Sequence, residues 1–157
     1  MAVRPVVQHP DPALRVDCAP VTDIDDNLRA LAADMLDTMY AAQGRGLAAP
    51  QVAMTVRMFV MDVGWKQGKS DPRIFINPEV TWASSGRQVY EEACLSLTGQ
   101  SRRIARPAQV ALRWTDDAGQ AHQGQFAGAE AVIVQHEIDH LDGILMFDHP
   151  AVTGEKA

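Results

Sequence analysis

The pentapeptide His136-Glu137-Ile138-Asp139-His140 constrains this chain more than any other feature. In an α-helix, positions i and i+4 lie on one face, a turn apart. Both imidazoles can then reach one metal ion. Glu137, between them, stands where it can take a proton from a water at that ion. The flanking Ile133, Val134, Ile138 and Leu141 are apolar, so the helix reads as buried. Buried histidines with a glutamate between them need partners. The bland alternative is an exposed amphipathic turn whose histidines do nothing. Histidine is scarce, five in 157 residues, and two at this spacing inside an apolar helix favour the metal.

A catalytic site of this kind has three protein ligands and one open position. The third ligand can be a carboxylate or a cysteine. Of the two cysteines, Cys94 is the leading candidate, lying in Glu92-Ala93-Cys94-Leu95-Ser96 at the end of a predicted strand. A thiolate there suits Zn2+ or Fe2+. The other reading of Cys94 is a small buried apolar residue, which is also the reading taken for Cys18 beside Pro20. A third segment runs Gly44-Arg45-Gly46-Leu47-Ala48-Ala49-Pro50-Gln51. Its glycines and alanines let backbone come close to a ligand. Gln51 either presents its amide N–H to an oxyanion or is a surface glutamine in a helix-terminating loop.

The length predicts a single domain over 1–157, with a frayed tail at about 149–157. Hydrophobic residues are 46% and charged residues 22%, which excludes a disordered, collagen-like or coiled-coil chain. No apolar run approaches the ~20 residues that cross a bilayer, so no membrane association is expected. The net charge is −6 and no block of basic residues stands out, so direct nucleic-acid binding is not expected. The opening segment has no apolar h-region, and two cysteines make no disulfide framework. A cytoplasmic protein is therefore expected.

Residues 1–21 contain four prolines and should form an extended, irregular arm. Helical spacing of Leu28, Leu31, Met35 and Met39 predicts a helix at about 24–42. Strands are predicted at 57–63, 73–76, 79–83 and 86–93. Residues 111–126 read as a hairpin turning at Asp117-Ala118-Gly119. A second helix should run from Ala127 or Gly128 to Asp142, stopped by Gly143. Strands in the middle with a helix at each end predict an α+β fold.

Taken together, the segments GRGLAAPQ, EACLS and HEIDHLDG resemble the three ordered signatures of the peptide deformylase family, G-x-G-L-A-A-x-Q, E-G-C-L-S and H-E-x-D-H-L. The resemblance runs from about residue 5 to 148 and includes the PDPALR start. It implies antiparallel sheets packed around a central metal-binding helix. It implies metal ligands at Cys94, His136 and His140, with Glu137 as general base and acid. Gln51 and the backbone N–H of Leu95 would bind the oxyanion. Gly46 would hold the substrate backbone, and Arg45 would line the substrate site. The implied metal is Fe2+, and Zn2+ fits the same ligands. The implied activity is removal of the formyl group from the N-terminal methionine of nascent peptides, releasing formate.

Three positions depart from the family pattern. Ala93 stands where the family has glycine, and Thr98 replaces a usual proline. Arg45 occupies a position that is usually apolar and helps form the pocket for the substrate's first side chain. These departures keep open a deformylase-like hydrolase with an altered N-acyl substrate. A metallopeptidase and a non-catalytic metal-binding module are the further alternatives. Transient ribosome contact is a further expected partnership. The long C-terminal helix that aids docking in some members is not part of this sequence, which stops soon after Phe147. Around the site, a pairing of Arg106 with Glu92 or with Asp139 is expected to tie the cysteine strand to the histidine helix.

Overall fold

Met58–Met61 is buried along its whole length. That is why this stretch reads as an unbroken apolar run rather than an alternating one. The computed structural model, which describes residues 2–153, shows what covers each face. Met58 and Val60 pack towards a first helix, and Phe59 and Met61 towards a second. Successive side chains of a strand point to opposite faces, so one strand serves both layers.

The strands are β1 (Gly46–Ala48), β2 (Met58–Met61), β3 (Arg73–Ala83), β4 (Arg87–Ala93), β5 (Ser101–Pro107), β6 (Gln109–Thr115) and β7 (Ala121–Ala127). An antiparallel sheet of five strands has the order β1-β2-β3-β6-β7, and β4 and β5 form a separate antiparallel hairpin. Helix α1 is Asp26–Ala41 and helix α2 is Gly128–Leu141.

Asp25 caps α1, its carboxylate accepting the Leu28 N–H at 2.9 Å. Leu31, Met35 and Met39 then meet Leu47, Met58, Val60 and Ile76 on one face of the sheet. On the other face, Ala131, Val134, Ile138 and Leu141 of α2 meet Ala48, Phe59, Phe75, Leu112 and Phe126. Gly143 ends α2 with φ of 73°, and a Cβ built there would lie 2.8 Å from the Arg15 carbonyl oxygen. Both the backbone angle and the space demand glycine. The β4–β5 hairpin has its own small core of Cys94, Leu97, Ile104 and Met146, with Phe147 against it.

The architecture is α+β, as expected, and the differences are local. The separate strands expected at 73–76 and 79–83 are one strand, β3, with register shifts against β6 after Ile76 and after Val80. Asn77 bends it, with φ of 50°. An asparagine tolerates that angle, and its side-chain amide is held by the Val21 N–H and C=O, at 2.8 and 2.9 Å. The hairpin strand β5 (SRRIARP) carries three arginines, which hid it from a search for apolar runs. Residues 149–153 depart from the frayed expectation. His149 Nε2 lies 2.8 Å from the Asp139 carboxylate, and the Val152 N–H donates to the Arg103 carbonyl at 2.9 Å. The rest of the expected tail, 154–157, lies outside the described residues. Among the described residues no helix is long and apolar enough to cross a membrane.

Candidate metal centre

The apolar stripe of α2 takes one side of the helix, so His136 and His140 are turned away from the sheet. Cys94 arrives from the end of β4. Its Sγ lies 3.3 Å from His140 Nε2, and the two imidazole centroids are 5.0 Å apart, edge to face. One donor atom from each of Cys94, His136 and His140 lies within 4.8 Å of the others. A tetrahedral ion ~2.3 Å from sulfur and ~2.0–2.1 Å from nitrogen would place those two atoms about 3.6 Å apart. The sulfur–nitrogen distance found is close to that. One sulfur and two nitrogens, all buried or nearly so, suit a borderline-soft dication. The group comprises three donors among the described residues, the number that a catalytic ion of this kind requires.

The residues around this triad set its protonation. His136 Nδ1 lies 2.9 Å from Glu92 Oε1, so its other nitrogen is the one turned to the sulfur. Glu92, two residues before Cys94, is held along one edge of the Arg106 guanidinium, by Nε and by Nη2, the latter 2.9 Å from Oε1. Arg106 also reaches Asp139 on α2, at 2.9 Å. Both pairings weighed from the sequence therefore occur at once. Burial alone would raise the Glu92 pKa, but its bonds to His136 and Arg106 outweigh that and hold it below the usual range. Burial works to lower the basicity of His136, but contact with the Cys94 sulfur and the Glu92 carboxylate raises it well above the usual value. His140 is taken well below it by burial, with His136 and Arg106 adding to the effect.

Glu137 is buried, and its Oε1 has no hydrogen-bond partner among the described residues. Burial is the main cause that pushes its pKa up to about 7. A cation on the three neighbouring ligands would draw it back down. The other carboxylate oxygen faces Gly46, where an added Cβ would come within 2.8 Å of it. That close approach is what this loop needs a glycine for.

Gln51 is buried rather than on the surface, in a short 3-10 turn at Ala49–Val52. Its Oε1 accepts the Ala48 N–H at 3.0 Å. The amide nitrogen is thereby aimed inward, 3.1 Å from Ser96 Oγ and 3.6 Å from Cys94 Sγ. No described residue accepts from the Leu95 N–H. Arg45, Gly46, Gln51, Leu95, His136 and Glu137 share one cleft of ≈ 420 Å³. Ala93, the last residue of β4, is exposed and lines the same cleft. Cys18 is buried far along the arm, its thiol pushed up chiefly by burial, and takes no part.

Sequence reasoning missed the N-terminal arm. The Val7 N–H donates to the Gln51 carbonyl at 2.8 Å and the His9 N–H to the Ser96 carbonyl at 2.9 Å. Gln8 donates to the Leu95 carbonyl at 2.8 Å and accepts from the Thr98 hydroxyl at 2.8 Å. Residues 7–9 thus tie the Gln51 turn to the cysteine segment. Thr98, placed where the family has proline, finds its partner in Gln8. No pattern in the sequence signals these bonds, which depend on chain segments meeting in space.

The family profile described as polypeptide deformylase matches residues 3–156. The chain is 46% identical over 149 residues to the peptide deformylase of Phenylobacterium zucineum, covering 95% of this chain and 88% of that one. It is 47% identical over 151 residues to that of Rhodopseudomonas palustris strain BisA53, covering 95% and 84%. The crystal structure of peptide deformylase from Thermotoga maritima superposes with a TM-score of 0.91 at 36% identity, over 97% of this chain and 100% of that one. A peptide deformylase from Synechococcus elongatus in complex with actinonin gives 0.89 at 35% identity, over 92% and 78%.

Proposed function

The chain belongs to the polypeptide deformylase family, and from that premise we infer that it is a metal-dependent hydrolase removing the N-formyl group from the N-terminal methionine of nascent peptides. The observation that carries this reading is Glu137. A non-catalytic metal module has no use for a buried carboxylate with an unpartnered oxygen beside three converging ligands.

Cys94, His136 and His140 would hold one divalent ion, Fe2+ by family resemblance, with Zn2+ suited to the same donors. When bound, such an ion supplies Lewis-acid chemistry, polarising a carbonyl oxygen and making water a stronger acid. Glu137 accepts a proton from the attacking water, whose oxygen bonds to the formyl carbon. The same carboxyl then delivers that proton to the amine nitrogen as the carbon–nitrogen bond breaks. Formate and a free N-terminus result. Gln51 Nε2 and the Leu95 N–H are the donors for the negative charge that builds on the formyl oxygen. Their support is the fixed amide of Gln51 and the unused Leu95 N–H described above. Gly46, pressed against Glu137, leaves backbone room for the substrate, and Arg45 lines its path. Residues 1–157 act as one domain in the cytoplasm, where formylated chains are made. Transient contact with the ribosome fits that supply and requires neither direct nucleic-acid binding nor a membrane.

The test is formate release. Anaerobically purified, metal-analysed protein is expected to release one formate per new amine from formyl-Met peptides. It should leave acetyl-Met peptides uncut and make no internal cleavage. Internal cleavage, or no formate with metal bound, would sink the reading.

A further inference from the structure

Two cations line the cleft without an anionic partner. Arg45 has a buried Nε with no hydrogen-bond acceptor. Lys66 lines the same cleft, its ammonium 5.6 Å from the centroid of the Trp65 ring. Among the described residues neither side chain is in an ion pair, whereas Arg57 and Arg106 each meet two carboxylates.

The backbone that carries both cations is held in place. The Trp65 indole N–H donates to the Gly44 carbonyl at 2.8 Å, and the Asp62 N–H donates to the Arg45 carbonyl at 2.9 Å. Tyr40 packs edge-on against Trp65 with centroids 5.2 Å apart. The Ser70 hydroxyl and Asp71 N–H close on the Asp62 carboxylate at 2.8 and 2.9 Å. Residues 62–71 are therefore fastened to the Gly44–Gly46 wall.

The cleft's own carboxylates do not answer these cations. Glu92 is spent on Arg106 and His136. Glu91 is engaged by the Ser101 hydroxyl across the hairpin, and Glu137 serves the chemistry. The whole chain carries −6, so this basic rim runs against the overall charge. A partly buried guanidinium presents a planar fork of N–H donors that matches a carboxylate.

We propose that Arg45, aided by Lys66, reads a carboxylate on the substrate, so that this enzyme prefers formylated peptides carrying an acidic group close to the formyl end. The proposal rests on the deformylase reading above and names the substrate class within it. A neutral substrate leaves the guanidinium unpaired inside the cleft, and a site built for hydrogen bonding discriminates against a ligand that cannot supply the bond. The carboxylate can belong to the first side chain, to the second, or to the free C-terminus of a very short substrate.

The experiment compares formate release from formyl-Met-Ala-Ala amide with formyl-Asp-Ala-Ala amide, formyl-Met-Asp-Ala amide and formyl-Met-Ala-Ala with a free carboxylate. At least one acidic peptide should exceed the neutral one in kcat/KM by about tenfold, chiefly through KM. The arm that does so identifies the source of the carboxylate. The preference should shrink in about 0.5 M salt. It should vanish in Arg45→Met and persist in part in Arg45→Lys. Calorimetry supplies a second readout, in which the product Met-Asp-Ala amide or Asp-Ala-Ala amide binds more tightly than Met-Asn-Ala amide. Equal kcat/KM for all four peptides, or a preference that survives Arg45→Met, overturns the inference while deformylation stands. No formate from any of them overturns the underlying reading instead.

Discussion

His136 Nδ1 and Glu92 Oε1 lie 2.9 Å apart across the boundary between the late helix and the cysteine hairpin. The carboxylate fixes which imidazole nitrogen faces the sulfur, and Arg106 fixes the carboxylate. Partners behind a metal-binding histidine typically hold 10–100-fold in metal affinity. Arg106→Ala is expected to lose about that much in a chelator competition. It should also cost roughly 3–5 kcal/mol in denaturant unfolding, because a buried carboxylate loses its counter-charge. Wild-type metal content and stability together would show the ion pair to be idle.

Glu137→Gln keeps the shape of the side chain and removes its ability to carry a proton. Turnover on formyl-Met peptides should fall on the order of 10²–10⁴-fold, while metal content by elemental analysis stays near one per chain. A variant that turns over normally would remove Glu137 from the chemistry.

Gly46→Ala places a methyl 2.8 Å from Glu137 Oε2 and 2.9 Å from Ile133 Cγ2. Crowding of this kind costs about 1–3 kcal/mol. Lower thermal stability and lower kcat are expected together, because the group displaced is Glu137 itself. An unchanged kcat in the alanine variant would show that Glu137 tolerates the shift.

Asp62 carries a pH signature remote from the metal. Burial alone would raise its pKa, but the Asp71 N–H and the Tyr40 and Ser70 hydroxyls outweigh it, and the folded value lies below the unfolded one. In the same network Tyr40 is pushed up to about 12, by burial first and then by Asp62. A depressed carboxylate contributes stability that is fully present above its unfolded pKa, near ~3.9, and is lost as pH falls through the folded value. Asp62→Asn should therefore melt below the wild type at neutral pH, with the gap closing as the pH drops below about 4. A gap that stays constant into strong acid would show that the bonds to Asp62 do not depend on its charge.

The convergence of Cys94, His136 and His140 was legible because a helix turns its period into geometry. Two histidines four residues apart can only share a face, and of the two cysteines Cys94 is the one near a strand end. The two helices were legible for the same reason, through the spacing of Leu31, Met35 and Met39 and of Val134, Ile138 and Leu141. β5 was not, since Arg102, Arg103 and Arg106 look like a solvated segment. Yet Arg106 is buried, because Glu92 and Asp139 meet it there. The bend at Asn77 was missed because what holds it is the backbone of Val21, far away in the chain. Local chemistry shows in the sequence when it repeats at a structural period. It is hidden when it depends on which distant segments come together.

The stitching by Val7, Gln8 and His9 makes the mouth of the cleft a joint product of three separate stretches of chain. A clip or deletion within residues 7–9 would loosen the Gln51 turn and the cysteine segment together, without altering a residue of either. The arm is thus the cleft's seam, and trimming it is expected to reach the site from outside.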